Sequence, residues 1–261
     1  MPRRDTLGAI TRRELLGTCS AAAASSALLF PATLVQADPN AAAKPLRVLV
    51  IGAHPGDPEA GCGGTMARCA NLGHDVSALY LTRGEAGVSG KSHPEAAEIR
   101  SAEAVAACKI LGARPIFAGQ IDAATEVNPA RSKEFTRQVA AERPDVVFTQ
   151  WPVDTHPDHR ACASLTIGVW IALGKQFALY FYEVDLGSDT QCFSPTVYID
   201  VTDVESMKRD ACMAHRSQNP SGFYNRDHLP MMRFRGMESG CQFAEAFVLH
   251  PQSPTHSLSR F

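Results

Sequence analysis

The sequence predicts an α/β protein: a single domain built around a mainly parallel sheet. Short apolar runs alternate with longer segments of helical periodicity, and strands separated by helices imply the crossover connections that parallel neighbours need. No internal repeat, low-complexity tract or linker divides the chain after its first 37 residues. The remainder, residues 38–261, is long enough to enclose one sizeable core.

The elements follow in order. Leu46 to Ala53 reads as a buried strand, Cys62 to Asn71 as a helix closed by Gly73, and Val76 to Thr82 as a second strand. Pro94 to Leu111 is an Ala-rich helix that stops at Gly112, after which Pro115 to Ile121, Arg131 to Glu142 and Asp145 to Thr149 continue the alternation. His159 to Leu173 has helical character, Phe177 to Val184 and Thr196 to Val201 are strand-like, and Val204 to His215 is a helix. Asn219 to Asp227 is rich in loop formers. Met231 to Arg235 reads as a packing segment with interspersed charge, fit for a subunit contact in a homo-oligomer.

Residues 1–37 are set apart as an export signal. Two arginine pairs, Arg3-Arg4 and Arg12-Arg13, precede a small-residue apolar stretch from Leu15 to Leu34, and Val35-Gln36-Ala37 offers a cleavage point. Thr11-Arg12-Arg13-Glu14-Leu15-Leu16 resembles a twin-arginine signal, which places the mature protein in the periplasm or outside the cell. Thr18, Ser20, Ser25, Ser26 and Pro31 interrupt the apolar stretch, so stable membrane insertion is not expected. Without this segment the chain carries a net charge of about −4, which argues against a nucleic-acid partner. Cys62, Cys69, Cys108, Cys162, Cys192, Cys212 and Cys241 lack the short paired spacings of a zinc knuckle or redox motif, and read mainly as small apolar residues.

The chemistry concentrates in two clusters. His54-Pro55-Gly56-Asp57 follows the first strand directly, and in open α/β sheets the carboxyl ends of strands form the ligand crevice. His156-Pro157-Asp158-His159 stands far along the chain before a helix. Catalytic zinc is held by three side chains from His, Asp or Glu with one position left open, and His54, Asp57 and His159 fit that pattern. His93-Pro94, in a Gly/Ser-rich stretch, reads as a loop residue.

The clusters resemble the motifs of the PIG-L/LmbE-like zinc-dependent N-acetylglucosaminyl deacetylases: Ala53-His54-Pro55-Gly56-Asp57-Pro58-Glu59 for the first and His156-Pro157-Asp158-His159 for the second. The likeness continues through Gly63-Gly64-Thr65, Leu81-Thr82-Arg83-Gly84-Glu85, Arg100 with Glu103, His215-Arg216-Ser217-Gln218, and Arg235-Gly236 leading to Ala244-Glu245-Ala246-Phe247. The resemblance implies a Rossmann-like, doubly wound fold, Zn2+ on His54, Asp57 and His159, and removal of an N-acetyl group from a small-molecule or glycan substrate. It implies that His156 polarises the acyl oxygen while Asp158 fixes its tautomer and favours its charged form. Glu85, Arg100 and Asp122 fall at sugar-pocket positions. The family's general base is the first Asp of its first motif, and that position here is Gly56. Glu59, two residues beyond Asp57, is the expected substitute base, with Asp154 as another.

Two rival readings share the residues. One is a homologue that keeps metal and sugar binding but has lost catalysis with Gly56; the other is a mononuclear iron enzyme, since two His and one carboxylate also hold iron.

Overall fold

The computed structural model describes residues 44–184 and 188–254, and the signal reading at residues 1–37 lies outside them. A seven-stranded sheet runs in the order β3-β2-β1-β4-β5-β7-β6. Its strands are β1 (Arg47–Gly52), β2 (Asp75–Tyr80), β3 (Arg114–Phe117), β4 (Val146–Gln150), β5 (Ala178–Tyr182), β6 (Val197–Asp200) and β7 (Ala244–Leu249). The first five pair in parallel, while β7 runs antiparallel to both β5 and β6.

Alternation along each strand explains why these sequences are apolar throughout. Val48 and Val50 of β1 face a core shared with α1 (Asp57–Asn71), α2 (His93–Leu111) and α5 (Glu205–Ala214). Leu49 and Ile51 face the other core, with α3 (Pro129–Glu142) and α4 (Pro157–Ala172). A sheet covered on both faces has no solvated side to mark with polar residues. The strand order reverses between β1 and β4, so the loops after these two strands diverge and leave a crevice. Both histidine clusters stand there.

Several boundaries differ from the sequence reading. Helix α1 begins at Asp57, five residues before Cys62, because Pro58 suits the first turn and the Glu59 carboxylate accepts from the Gly56 N–H at 3.1 Å. Helix α4 begins at Pro157 because His156 caps it: its Nδ1 accepts from the Asp158 N–H at 3.2 Å. The loop expected over Asn219 to Asp227 is helical, with α6 (Pro220–Phe223), a π turn over Tyr224–His228 and then α7 (Leu229–Ser239). Its Asn, Pro and Gly residues serve the first turn, where Asn219 takes the left-handed φ of 48°. His93 likewise opens α2 rather than lying in a loop, with Ser92 and Glu95 bonded to each other ahead of it.

Met231 and Met232 are buried within the fold, and Arg235 forms a bidentate pair with Glu183 at 2.6 and 2.8 Å, so most of this segment packs inside its own chain. Of the seven cysteines among the described residues, five are buried, Cys192 is exposed and Cys241 is intermediate, and all seven are free thiols. No helix of the described residues is long and apolar enough to cross a membrane. Lys208 of α5 and Glu245 of β7 form a fully buried pair at 2.6 Å, and the same carboxylate accepts from the Gly64 and Thr65 N–H groups of α1 at 2.8 and 2.7 Å.

Candidate metal centre

The loop after β1 turns sharply at Gly56, whose φ of +110° and ψ of −32° lie in a region that L side chains rarely adopt. This turn brings Asp57 back under His54. Asp57 Oδ2 accepts from the His54 N–H at 2.8 Å and from the Gln150 amide at 3.0 Å, which ties the β1 loop to the end of β4. The same oxygen lies 3.2 Å from His54 Nδ1 and 3.5 Å from His159 Nε2.

The outer nitrogen of each histidine stands beside buried carboxylates, in hydrogen-bonding geometry at His54 and as a close ion-pair contact at His159. His54 Nε2 lies 3.2 Å from both Asp122 and Asp158, and His159 Nδ1 lies 3.1 Å from Asp154. A carboxylate at one ring nitrogen keeps the proton there and leaves the other nitrogen's lone pair for a metal. Both inner nitrogens face Asp57 Oδ2. A tetrahedral site with ligand bonds near 2.1 Å has edges of about 3.4 Å, and the 3.2 and 3.5 Å separations match it. Among the described residues two donor groups have all their ligand atoms within 4.8 Å of one another: His54 with His156 and His159, and His54 with Asp122 and Asp158. Asp57 belongs to neither. In the second group Asp158 is already committed to the Ala123 N–H at 2.8 Å and the Thr125 hydroxyl at 2.6 Å, and Asp122 to the Ala86 N–H at 3.1 Å, which makes both carboxylates supports for His54.

The electrostatics follow from this crowding. Burial opposes charge on His54 and His159, yet Asp57 and the other carboxylates more than offset it, and both pKa values are raised above the ordinary 6.5. Burial also opposes ionisation of Asp57, but the His159 and His54 charges hold its carboxyl far below the usual range. His156 moves the other way: burial, then the fields of His54 and His159, lower its pKa.

The field of Asp158 favours charge on His156, as expected, but burial and the fields of His54 and His159 outweigh it. The Asp158 carboxylate serves His54 and the 123–125 loop, and only its main-chain N–H touches His156. His156 is therefore held neutral, with Nδ1 accepting and the proton on Nε2. As a neutral donor it can still stabilise a developing oxyanion.

Glu59 is not placed as a free base. Its side chain is 0% exposed, Oε1 accepts from the Tyr80 hydroxyl at 2.6 Å and Oε2 from the Gly56 N–H. Asp154 is also buried, behind His159, where it accepts from the His156 N–H at 2.8 Å. Of the three pocket residues, Arg100 and Asp122 line the larger cavity, of about 450 Å³, beside His54, Asp57, His156 and His159. Glu85 does not line it: its carboxylate accepts from the Arg83 and Asp122 N–H groups, both at 3.1 Å, and so fixes the loop carrying Asp122.

Arg100 is buried rather than on a solvated helix face, and burial lowers its pKa. It donates to the Pro55 carbonyl at 2.5 Å, while Glu103 accepts from the Ser217 N–H and hydroxyl at 2.8 and 2.7 Å. A Cβ at Gly84 or Gly87 would meet Arg100 at 2.6 or 2.3 Å, so these glycines give it passage. Gln218 was not among the predicted site residues, and the sequence left His215 open between approaching the metal crevice and packing against its helix end; both line a second cavity of about 150 Å³ with Gly56, Asp57 and Arg100. Their only sequence signal was the His215-Arg216-Ser217-Gln218 motif.

Fold and site together define a single-domain α/β protein with a histidine–carboxylate centre at the switch point of its sheet. The family model described as PIG-L, GlcNAc-PI de-N-acetylase, matches residues 49–170. The diacetylchitobiose deacetylase of Thermococcus kodakarensis is 31% identical over 227 residues, covering 78% of this chain and 83% of that protein. A 1D-myo-inositol 2-acetamido-2-deoxy-alpha-D-glucopyranoside deacetylase of Rhodococcus erythropolis is 36% identical over 150 residues, covering 46% and 51%. The crystal structure of a conserved protein from Thermus thermophilus matches with a TM-score of 0.70 at 29% identity, covering 81% and 97%. The chain belongs to the PIG-L family.

Proposed function

We propose that this chain is a zinc-dependent N-deacetylase of N-acetylglucosamine-type sugars or glycoconjugates, exported through a twin-arginine signal. The observation that carries the reading is the pair of inner nitrogens, on His54 and His159, that face Asp57 Oδ2 at 3.2 and 3.5 Å at the floor of a cavity with room for a sugar. His54, Asp57 and His159 would hold the metal. A bound zinc ion supplies Lewis acidity and makes water a nucleophile near neutral pH. His156 donates from Nε2 to the acyl oxygen as charge develops there. Arg100 and Asp122, a fixed donor and a fixed acceptor in one wall, suit the hydroxyls of an amino sugar. The names of the two deacetylase relatives support an N-acetylated sugar as substrate.

Gly56 supports one second reading, a homologue that binds metal and sugar without turnover. Acetate release, followed by proton NMR from N-acetylated sugars and O-acetyl esters with the zinc-loaded chain, separates the two. Release that disappears in His159→Ala supports the deacetylase. Sugar binding with no release from any substrate supports the binding protein.

A further inference from the structure

The helix α5 ends at His215, whose ring stands over Gly56: the atom that a Cβ on Gly56 would meet first is His215 Cγ, at 4.0 Å. The imidazole therefore occupies the neighbourhood left open by a residue with no side chain. It is 3% exposed and lines the smaller cavity together with Gly56 and Asp57. Its Nε2 lies 3.2 Å from Glu59 Oε1. Glu59 is itself fixed by the Tyr80 hydroxyl at 2.6 Å and the Gly56 N–H at 3.1 Å, so its carboxylate cannot swing away. A carboxylate fixed beside Nε2 draws the ring proton to that nitrogen. Neither ring nitrogen has a hydrogen bond of good geometry among the described residues, but only Nε2 has a carboxylate within 4.0 Å, so Nδ1, bonded to the Cγ that approaches Gly56, is the nitrogen that keeps its lone pair. A buried acceptor left unpaired beside a reaction cavity costs stability and is a mark of function.

We propose that His215 Nδ1 is the general base that replaces the carboxylate missing at Gly56, with Glu59 as the positioning residue behind it. The inference rests on the deacetylase reading. As the water oxygen bonds to the acyl carbon, its proton passes to Nδ1, and Glu59 balances the imidazolium that forms. The ring then returns this proton to the amide nitrogen as the C–N bond breaks, giving acetate and the free amine. The arrangement repeats the logic of other His–carboxylate pairs, in which the acid orients the ring and stabilises its charged form.

Two measurements test it. In the metal-free chain labelled with 15N-histidine, long-range proton–nitrogen correlation shows His215 protonated on Nε2 and bare at Nδ1, a preference that Glu59→Gln removes. A proton on Nδ1 in the native chain overturns the proposal. In the zinc-loaded chain, His215→Asn keeps an amide donor for Glu59 but has no basic nitrogen. Its kcat falls by about 10²- to 10⁴-fold with KM and bound zinc unchanged, and added imidazole restores part of it. A His215→Asn kcat equal to that of an active native chain overturns the role of His215 alone. A native chain that releases no acetate overturns the deacetylase reading and this role with it.

Discussion

The turns after β1 and β4 look alike in sequence, each a His-Pro step leading into a helix, but they use their acids differently. In the β4 turn a histidine caps the helix, which leaves the carboxylate of Asp158 to reach across the crevice to His54. In the β1 turn the cap position is glycine, and the acid that completes the cap, Glu59, is buried by doing so. One turn sends its acid directly to a histidine across the crevice; the other fixes Glu59 at the helix end, from where it reaches the site only through His215. An acid that closes a helix end is held too rigidly to meet substrate itself, and acts through the group it touches.

The comparison breaks most sharply at the ligands. His159→Ala, or Asp57→Ala, abolishes stoichiometric zinc binding in dialysis followed by elemental analysis, whereas His156→Ala retains the metal. Loss of metal from His156→Ala with retention by Asp57→Ala would transfer the ligand role to the three-histidine group. His156→Ala lowers kcat by about 10²- to 10³-fold through the lost oxyanion donor. The supports behind the ligands carry less: Asp154→Asn and Asp158→Asn each weaken zinc affinity by about 10- to 100-fold in chelator competition.

Metal-free stability sharpens the contrast through pH. His54 and His159 have folded pKa values raised above 6.5, so their contribution is complete below pH 6.5 and is lost as pH rises through those values. Asp57 and Asp158 are lowered below 3.8, so theirs is present above that pH and lost as pH falls through the folded values. His156, His228 and His250, lowered below 6.5, oppose the two raised histidines, while the buried thiols of Cys69, Cys108, Cys162 and Cys212, pushed up from 9 by burial, add to the stability lost as pH rises past 9. The Tm of the chain in chelator is therefore higher at pH 5 to 6 than at pH 9, and zinc, which displaces protons from His54 and His159, reverses that order. A chelated chain more stable at pH 9 would remove the carboxylates from their place around the histidines. The smallest effect is at the turn itself: in Gly56→Asp the new Cβ has room, with His215 Cγ at 4.0 Å, but the residue takes a strained φ, and stability falls by about 1–3 kcal/mol in denaturant unfolding.

Much of the fold was legible because strands covered on both faces are continuous apolar runs, and the ligand clusters were legible because they are contiguous. What stayed hidden depends on contacts between distant residues. Nothing local shows that Asp122 and Asp158 converge on His54, that Arg100 threads past Gly84 and Gly87, or that Glu59 meets His215 rather than substrate. The helical turn at Asn219 was missed because Asn, Pro and Gly mark a helix start as readily as a loop, and only the burial of Tyr224 and His228 decides between them. Antiparallel β7 was quoted as a motif and not read as a strand, since its Glu245 breaks the apolar run and is bearable only opposite Lys208.

That strand has a consequence for the order of assembly. β7 is the last strand of the described residues in chain order, yet it lies inside the sheet, between β5 and β6, and it brings the carboxylate that neutralises buried Lys208 and grips α1. A nascent chain short of residue 245 has an open seam beside β5, a bare cation in its core and no anchor for the helix that begins at Asp57. The sheet can close only once β7 has been made, so any truncation before β7 removes the whole domain rather than one element.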